Sequence, residues 1–235
     1  MQENSQNNQP SGIIEVLIKK ASLKQQVYTN THQVFQNFRE SVHEMVDENQ
    51  KTISDKDRRI AFEYRDLGEF QIELKFGGDI LIFLMHTNIF EFSRDHEVMK
   101  TAYVKEDSSK SYSGMITVFN FLADSFKYNR INDVGYLIGR IFINKDFHYF
   151  IEGKREVGML YNNFGTSIIN KEITTKIIES AMSYTINFDL LVPPYDNMKE
   201  VTVAEMQTTL ENMPMRTGKR LGFKFYADSD INKVE

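Results

Sequence analysis

Three groups of residues in this chain have the types and the proximity that chemistry needs. The first is Asp95-His96-Glu97, with His86 ten positions earlier. Imidazole and carboxylate together are the donor set of a zinc or iron site. Successive residues of a strand point to opposite faces, however, so the triplet converges on one ion only inside a turn. A solvated interstrand turn is the reading that such a polar triplet favours. His32, His43, His86, His96 and His148 include no pair at helical ligand spacing within a shared element, and no metal or cofactor is expected.

Arg140 is the second. It lies inside the apolar run Gly135 to Ile143, where a strand would place its guanidinium beside Tyr136, Ile138 and Phe142. A buried guanidinium needs an anion or several acceptors, since an unpaired one costs several kcal/mol. The polar turn Asn144-Lys145-Asp146 and the run Phe147 to Gly153 complete a hairpin that supplies candidates. A three-residue loop over 144–146 sets Arg140 opposite Phe150 and diagonal to His148 and Glu152; a two-residue loop moves Glu152 to the other face. Two readings follow: a structural Arg140, either paired with Glu152 or with its head snorkelling to water, or a small anionic ligand held by Arg140, His148, Glu152 and Lys154, with Arg155 nearby. Gly135 and Gly139 leave room on the opposite face for a close-packed helix or a flat ligand.

The third group is the basic stretch Arg216, Lys219, Arg220 and Lys224. Four cations beside Thr217 and Gly218 could neutralise phosphates. The whole chain carries a net charge of -5, which lacks the broad positive field that steers nucleic acid to a surface. Nucleic-acid binding is therefore disfavoured. Gly218-Lys219 is followed by Arg220 and preceded five residues earlier by Met213, so no P-loop exists. No GxGxxG, GxSxG or HExxH occurs. Asp124-Ser125, Asp133 and Tyr195-Asp196-Asn197 read as helix-face, capping or turn residues.

The elements that position these groups fall into an α+β order. Met1 to Gly12 is Gln/Asn/Ser-rich and reads as a disordered tail. From Ile13 to Gln50 neither Gly nor Pro interrupts a helical stripe of Leu17, Ala21, Lys24, Tyr28, Thr31, Phe35, Phe38, Val42 and Met45. Some 38 residues make a rod of roughly 57 Å, longer than the body of about 40 Å that the rest of the chain would form. The uncovered part of the stripe calls for a second chain, with Leu17, Tyr28, Phe35, Phe38 and Val42 as the expected dimer contacts. Lys24 and Thr31 interrupt the seam, which weakens a coiled coil while fixing its register.

Residues 51–235 form one α+β domain in this reading, with Asp47 to Arg59 as the charged passage into it. Period-two alternation marks strands over Ile60 to Arg65 and Phe70 to Phe76, and Gly77-Gly78-Asp79 turns the chain into a buried strand Ile80 to His86. Ile89 to Phe92 and Val98 to Val104 continue the meander. Met115, Phe119, Leu122 and Phe126 predict a helix over Gly114 to Tyr128, N-capped by Ser113. Strands follow at Val134 to Ile143, Phe147 to Gly153 and Val157 to Tyr161. A helix over Ile169 to Tyr184, a strand at Ile186 to Val192, a short helix near Ala204 to Asn212 and a strand at Leu221 to Tyr226 complete the chain. Two antiparallel meanders separated by a helix, with helices at each end, are similar to the GAF and PAS class of sensory modules, and that resemblance in element order implies dimer contacts on the terminal helices.

The remaining composition is that of an ordinary globular protein: 235 residues, 18 Phe, 11 Tyr and no Cys. Absence of cysteine excludes disulfides, thiolate metal sites and a cysteine nucleophile. The longest apolar run, Ile80 to Met85, falls far short of the roughly 20 residues that span a bilayer. The start of the chain has no basic segment followed by an apolar one, so a cytoplasmic address is expected. Together these features point to a non-enzymatic, self-associating module that binds a partner protein or small ligand. The rival is an enzyme with a site in the sheet cleft near Arg140, His148 and Glu152.

Overall fold

The computed structural model describes residues 12–154, 163–192, 194–197, 199–204 and 206. The first helix, α1 (Gly12–Lys56), is a single element of 45 residues, or about 67 Å at 1.5 Å per residue. It continues past Gln50 because no helix breaker arrives before Asp57.

Among the described residues, seven strands form one antiparallel sheet: β1 (Phe62–Asp66), β2 (Gln71–Phe76), β3 (Asp79–Met85), β4 (Phe90–Glu91), β5 (Tyr112–Leu122), β6 (Tyr136–Asn144) and β7 (Tyr149–Gly153). Their order is β1-β2-β3-β5-β6-β7, with the short β4 pairing β5 beyond the end of β3. The β2–β3 hairpin turns at Gly77, whose φ of +57° is a conformation that glycine adopts without steric cost.

Alternation puts the core on one face of this sheet. Ile72, Leu74, Leu81, Phe83, Ile116, Ile141 and Ile143 point to it, and α1 covers them with Val34, Phe35, Phe38 and Val42. A second helix, α5 (Lys171–Ile186), lies on the same layer through Ile177, Ile178 and Ala181. Asn170 caps it by accepting the Ile173 N–H at 2.9 Å. Ser41 of α1 meets Thr174 of α5 at 3.4 Å in the buried contact between the two helices.

The other sheet face carries a smaller core at one end. The short helices α2 (Glu97–Lys100) and α3 (Ala102–Glu106) set Val98 and Val104 against Phe142, Phe150 and Phe164. A last short helix, α4 (Ala123–Lys127), follows β5.

Three expected elements differ. Val98 to Val104 is not a strand, because His96 and Thr101 each cap a helix there, accepting from Val98 and Val104 N–H groups. Gly114 to Leu122 is a strand, and only Ala123–Lys127 is helical. Ser113 is therefore no N-cap; it pairs with Phe90 on one side and Asn144 on the other. The chain from Asn187 to Val192 is not a strand either. With β5 as a strand, the two expected meanders join into one antiparallel sheet, interrupted in sequence by the short helices α2, α3 and α4 in place of the long middle helix expected over Gly114 to Tyr128. Arg155, Val157 to Tyr161, the greater part of 204–212, the basic stretch 216–224 and Leu221 to Tyr226 lie outside the described residues, as does most of the N-terminal tail.

Candidate functional site

The β6–β7 hairpin decides what surrounds Arg140. Its loop is Lys145 to Phe147, one residue later than expected, and Asn144 pairs with His148 through a 3.0 Å backbone bond. The fully buried Asn144 side chain fixes that position: its Oδ1 accepts the N–H groups of Asp146 at 2.9 Å and His148 at 3.0 Å. Phe147 takes the left-handed conformation at φ 61° to close the turn. The register then places Arg140 directly opposite Glu152 and Phe142 opposite Phe150. The expected pairing of Arg140 with Phe150 is thus corrected by a two-residue shift of the partner strand, which keeps the same face.

Arg140 Nη2 donates to Glu152 Oε2, and the guanidinium lies over the Phe142 ring, 5.4 Å from its centroid. His96 completes the group. Its Nε2 is 3.3 Å from Glu152 Oε1, while its Nδ1 accepts the Val98 N–H at 3.2 Å. With Nδ1 occupied as an acceptor, the neutral ring carries its hydrogen on Nε2 and donates it to Glu152. The imidazole stacks on Phe92 at 4.6 Å and meets Phe150 edge-on at 5.4 Å. Glu152 therefore has a partner on each oxygen, and the cluster ties α2 to the sheet.

His148 belongs to a different cluster. Its Nδ1 donates to the Phe164 carbonyl at 2.8 Å, and its ring stacks on Tyr103 at 4.5 Å, 8° from parallel. The Tyr103 hydroxyl donates to Asp146 at 2.7 Å and accepts from Asn144 at 3.1 Å. Burial, reinforced by Asp146, pushes the Tyr103 hydroxyl well above the usual phenol range. Lys145 bonds Asp107 at 2.6 Å and Ser109 at 2.7 Å; its ammonium, with the Ser109 donors, holds the Asp107 carboxyl well below the usual carboxylate range. Lys154 is exposed just past β7, with its backbone N–H donating to the Ile138 carbonyl at 3.0 Å. Of the four expected ligand-binding residues, Arg140 and Glu152 meet, while His148 and Lys154 stand apart from them.

His96 is the member that sequence reasoning placed elsewhere, in a solvated turn. A histidine at a helix N-cap was the available signal. Among the described residues no group of three or more His, Asp or Glu side chains converges as a metal site.

Glu73 is the most buried carboxylate in the sheet, 5% exposed on β2, with Arg65 Nη1 3.5 Å away. Burial raises its pKa, and the Arg65 charge offsets this only in part. A carboxyl whose pKa is higher in the folded than in the unfolded state contributes stability at acid pH and loses it as pH rises through the raised value. Glu73→Gln should therefore raise the urea midpoint at pH 7, with the gain shrinking toward about pH 4. A gain that is equal at both pH values would assign the effect to something other than ionisation.

The remaining candidate surface is the N-terminal end of α1. Residues 12–26 are exposed apart from half-buried Leu23, whereas Val27 is fully buried. This free stretch of about 22 Å carries Ile13, Ile14, Val16, Leu17 and Ile18, with Leu17 61% exposed. The expected dimer contacts divide accordingly. Leu17 is open and Tyr28 half-buried, but Phe35, Phe38 and Val42 are fully buried in the chain's own core. For those three the expectation is corrected: the sheet, not a second chain, covers them.

Compared with known proteins, the chain matches no family model, and neither a curated protein nor a solved structure matches it. Among the described residues no helix is long and apolar enough to cross a membrane.

Proposed function

We propose that this protein is a non-enzymatic, self-associating α+β binding module whose assembly surface is the free N-terminal stretch of α1. One observation carries this reading: five large apolar side chains within the six positions 13–18 are exposed on a helix whose stripe from Thr31 to Val42 is filled by its own sheet. Such a patch on a folded protein marks an interaction surface. The interior polar groups lend no support to the enzymatic rival. Arg140 Nη2 and His96 Nε2 are both spent on Glu152, with only the buried Arg140 Nε of this trio left without a hydrogen-bond partner, and His148 is occupied by Phe164 and Tyr103.

Leu17→Glu tests the proposal without touching the fold. A carboxylate at an exposed helix position leaves the folding stability, read by urea denaturation, within about 0.5 kcal/mol of wild type. At the centre of an apolar interface it should weaken self-association about a hundredfold. Light scattering across a concentration series reads both states. A wild-type chain that stays monomeric at every concentration would remove the reading.

A further inference from the structure

The free end of α1 continues a line of residues that is filled further along. Leu17, Ala21, Lys24 and Tyr28 share one stripe with Thr31, Phe35, Phe38 and Val42, and the last four are buried on the chain's own sheet. A partner helix laid along the first group in the same direction would run into that sheet after Tyr28, and its own sheet would meet the same obstacle. A partner running the opposite way avoids both collisions, because its globular body lies beyond the N-terminus of the first chain.

The step where α1 leaves the sheet has a shape that receives such a helix. Lys24, Gln25 and Tyr28, with Thr87, Asn88 and Ile89 of the β3–β4 connection, line a concave corner of about 430 Å³. Tyr28 and Gln25 fall on the same side of α1 as Ile14, Leu17 and Ala21, since these positions follow one another in steps of three or four residues.

Resting on the self-association proposed above, we infer that two copies pair their free α1 stretches antiparallel about a two-fold axis near Ile18 and Lys19, the Gly12–Ile13 end of each seated in the corner of the other. The overlap is about 14 residues, or 21 Å. Ile13, Ile14, Leu17 and Ile18, with Ala21, Gln25 and Tyr28 on the same side, present on the order of 500 Å² per chain, so that pairing buries about 1,000 Å² in total, the lower bound of a specific interface. Two ends and two corners close the assembly at a dimer, as an isologous contact must. A lipid surface is the weaker occupant, because the net charge of -5 opposes approach to anionic headgroups.

The chain has no cysteine, so introduced thiols are unique. Gly12→Cys places a side chain in open space, and Gln25→Cys alters an exposed position. Full-length Gly12→Cys and Gln25→Cys proteins are oxidised separately and as a mixture, and the linked peptides are weighed. Antiparallel pairing predicts about tenfold more mixed 12–25 product than either self-linked product, because only the mixed thiols share a high effective concentration. Leu17→Glu in both proteins should abolish it.

Self-linking of each protein with little mixed product means a parallel pair. It overturns this inference while self-association stands. An oligomer that yields no cross-link overturns it in the same way. A monomer by light scattering takes down this inference and the proposed function together. Sedimentation of that monomer with vesicles of phosphatidylcholine and phosphatidylglycerol would give the surface to lipid instead.

Discussion

Phe38→Ala should cost about 3–5 kcal/mol of folding stability, the range for removing a fully buried phenylalanine. The ring has no exposed surface and lies 5.6 Å from the ring of Phe83 on β3. It thus joins α1 to the central part of the sheet. The cavity left behind cannot collapse easily, since Phe35 and Val42 hold the same helix on either side of it. The measurement is urea denaturation followed by circular dichroism. It also separates the two ways of reading the stripe. A core residue registers as lost stability at every protein concentration, whereas an interface residue registers as a shifted monomer–dimer equilibrium with the monomer fold intact. A Phe38→Ala protein of unchanged urea midpoint and altered mass would return this residue to an interface and undo the division of α1 made above.

How much of this was legible in the sequence depended on whether an element has a polar face. β2 and β3 were readable because Gln71, Glu73 and Lys75 alternate with Ile72, Leu74 and Phe76 and a glycine turn follows. Helices α1 and α5 were readable because each keeps one solvated side. β5 was not, since the sheet and its two covering layers bury Ser113, Ile116, Val118 and Asn120 alike. Without polar alternation, Met115, Phe119, Leu122 and Phe126 gave a spurious helical stripe. The β-branched run Ile116-Thr117-Val118 was the local sign of a strand.

The candidate site was legible in its pair and not in its third member. Arg140 and Glu152 follow from hairpin arithmetic once the loop is set one residue later, and that shift depends on Asn144 bonding back to Asp146 and His148. His96 reaches Glu152 across 56 residues, and such a meeting is a product of the fold alone. The rod was legible in length, and its cover was not: periodicity records which face is apolar without saying whether sheet or second chain lies against it.

Gly114→Ala bears on where that cover ends. A Cβ built on Gly114 would stand 2.1 Å from Thr31 Oγ1 and 2.8 Å from Thr31 Cβ and Cγ2, so the helix rests directly on the backbone of β5. Neither partner can yield cheaply. Thr31 is fully buried and donates its hydroxyl to the Val27 carbonyl at 2.7 Å; β5 is held between β3 and β4 on one side and β6 on the other. The substitution should cost about 1–3 kcal/mol by overpacking. In a Thr31→Ala background the cost should fall by about 0.5 kcal/mol or more, the size of coupling that contacting residues show. It should not vanish, because the Thr31 Cβ remains too close. Equal costs in the two backgrounds would show that the contact is not the cause. The close approach also locates the boundary of the free stretch, since Val27 is buried one helical turn before Thr31, Gln26 still reaches the Lys145 carbonyl at 3.4 Å, and residues 12–22 are all exposed. Lifting α1 at Gly114 would expose Tyr28 and Val27 as well. Any change in self-association in this variant should therefore accompany the loss of stability, whereas Leu17→Glu changes association alone.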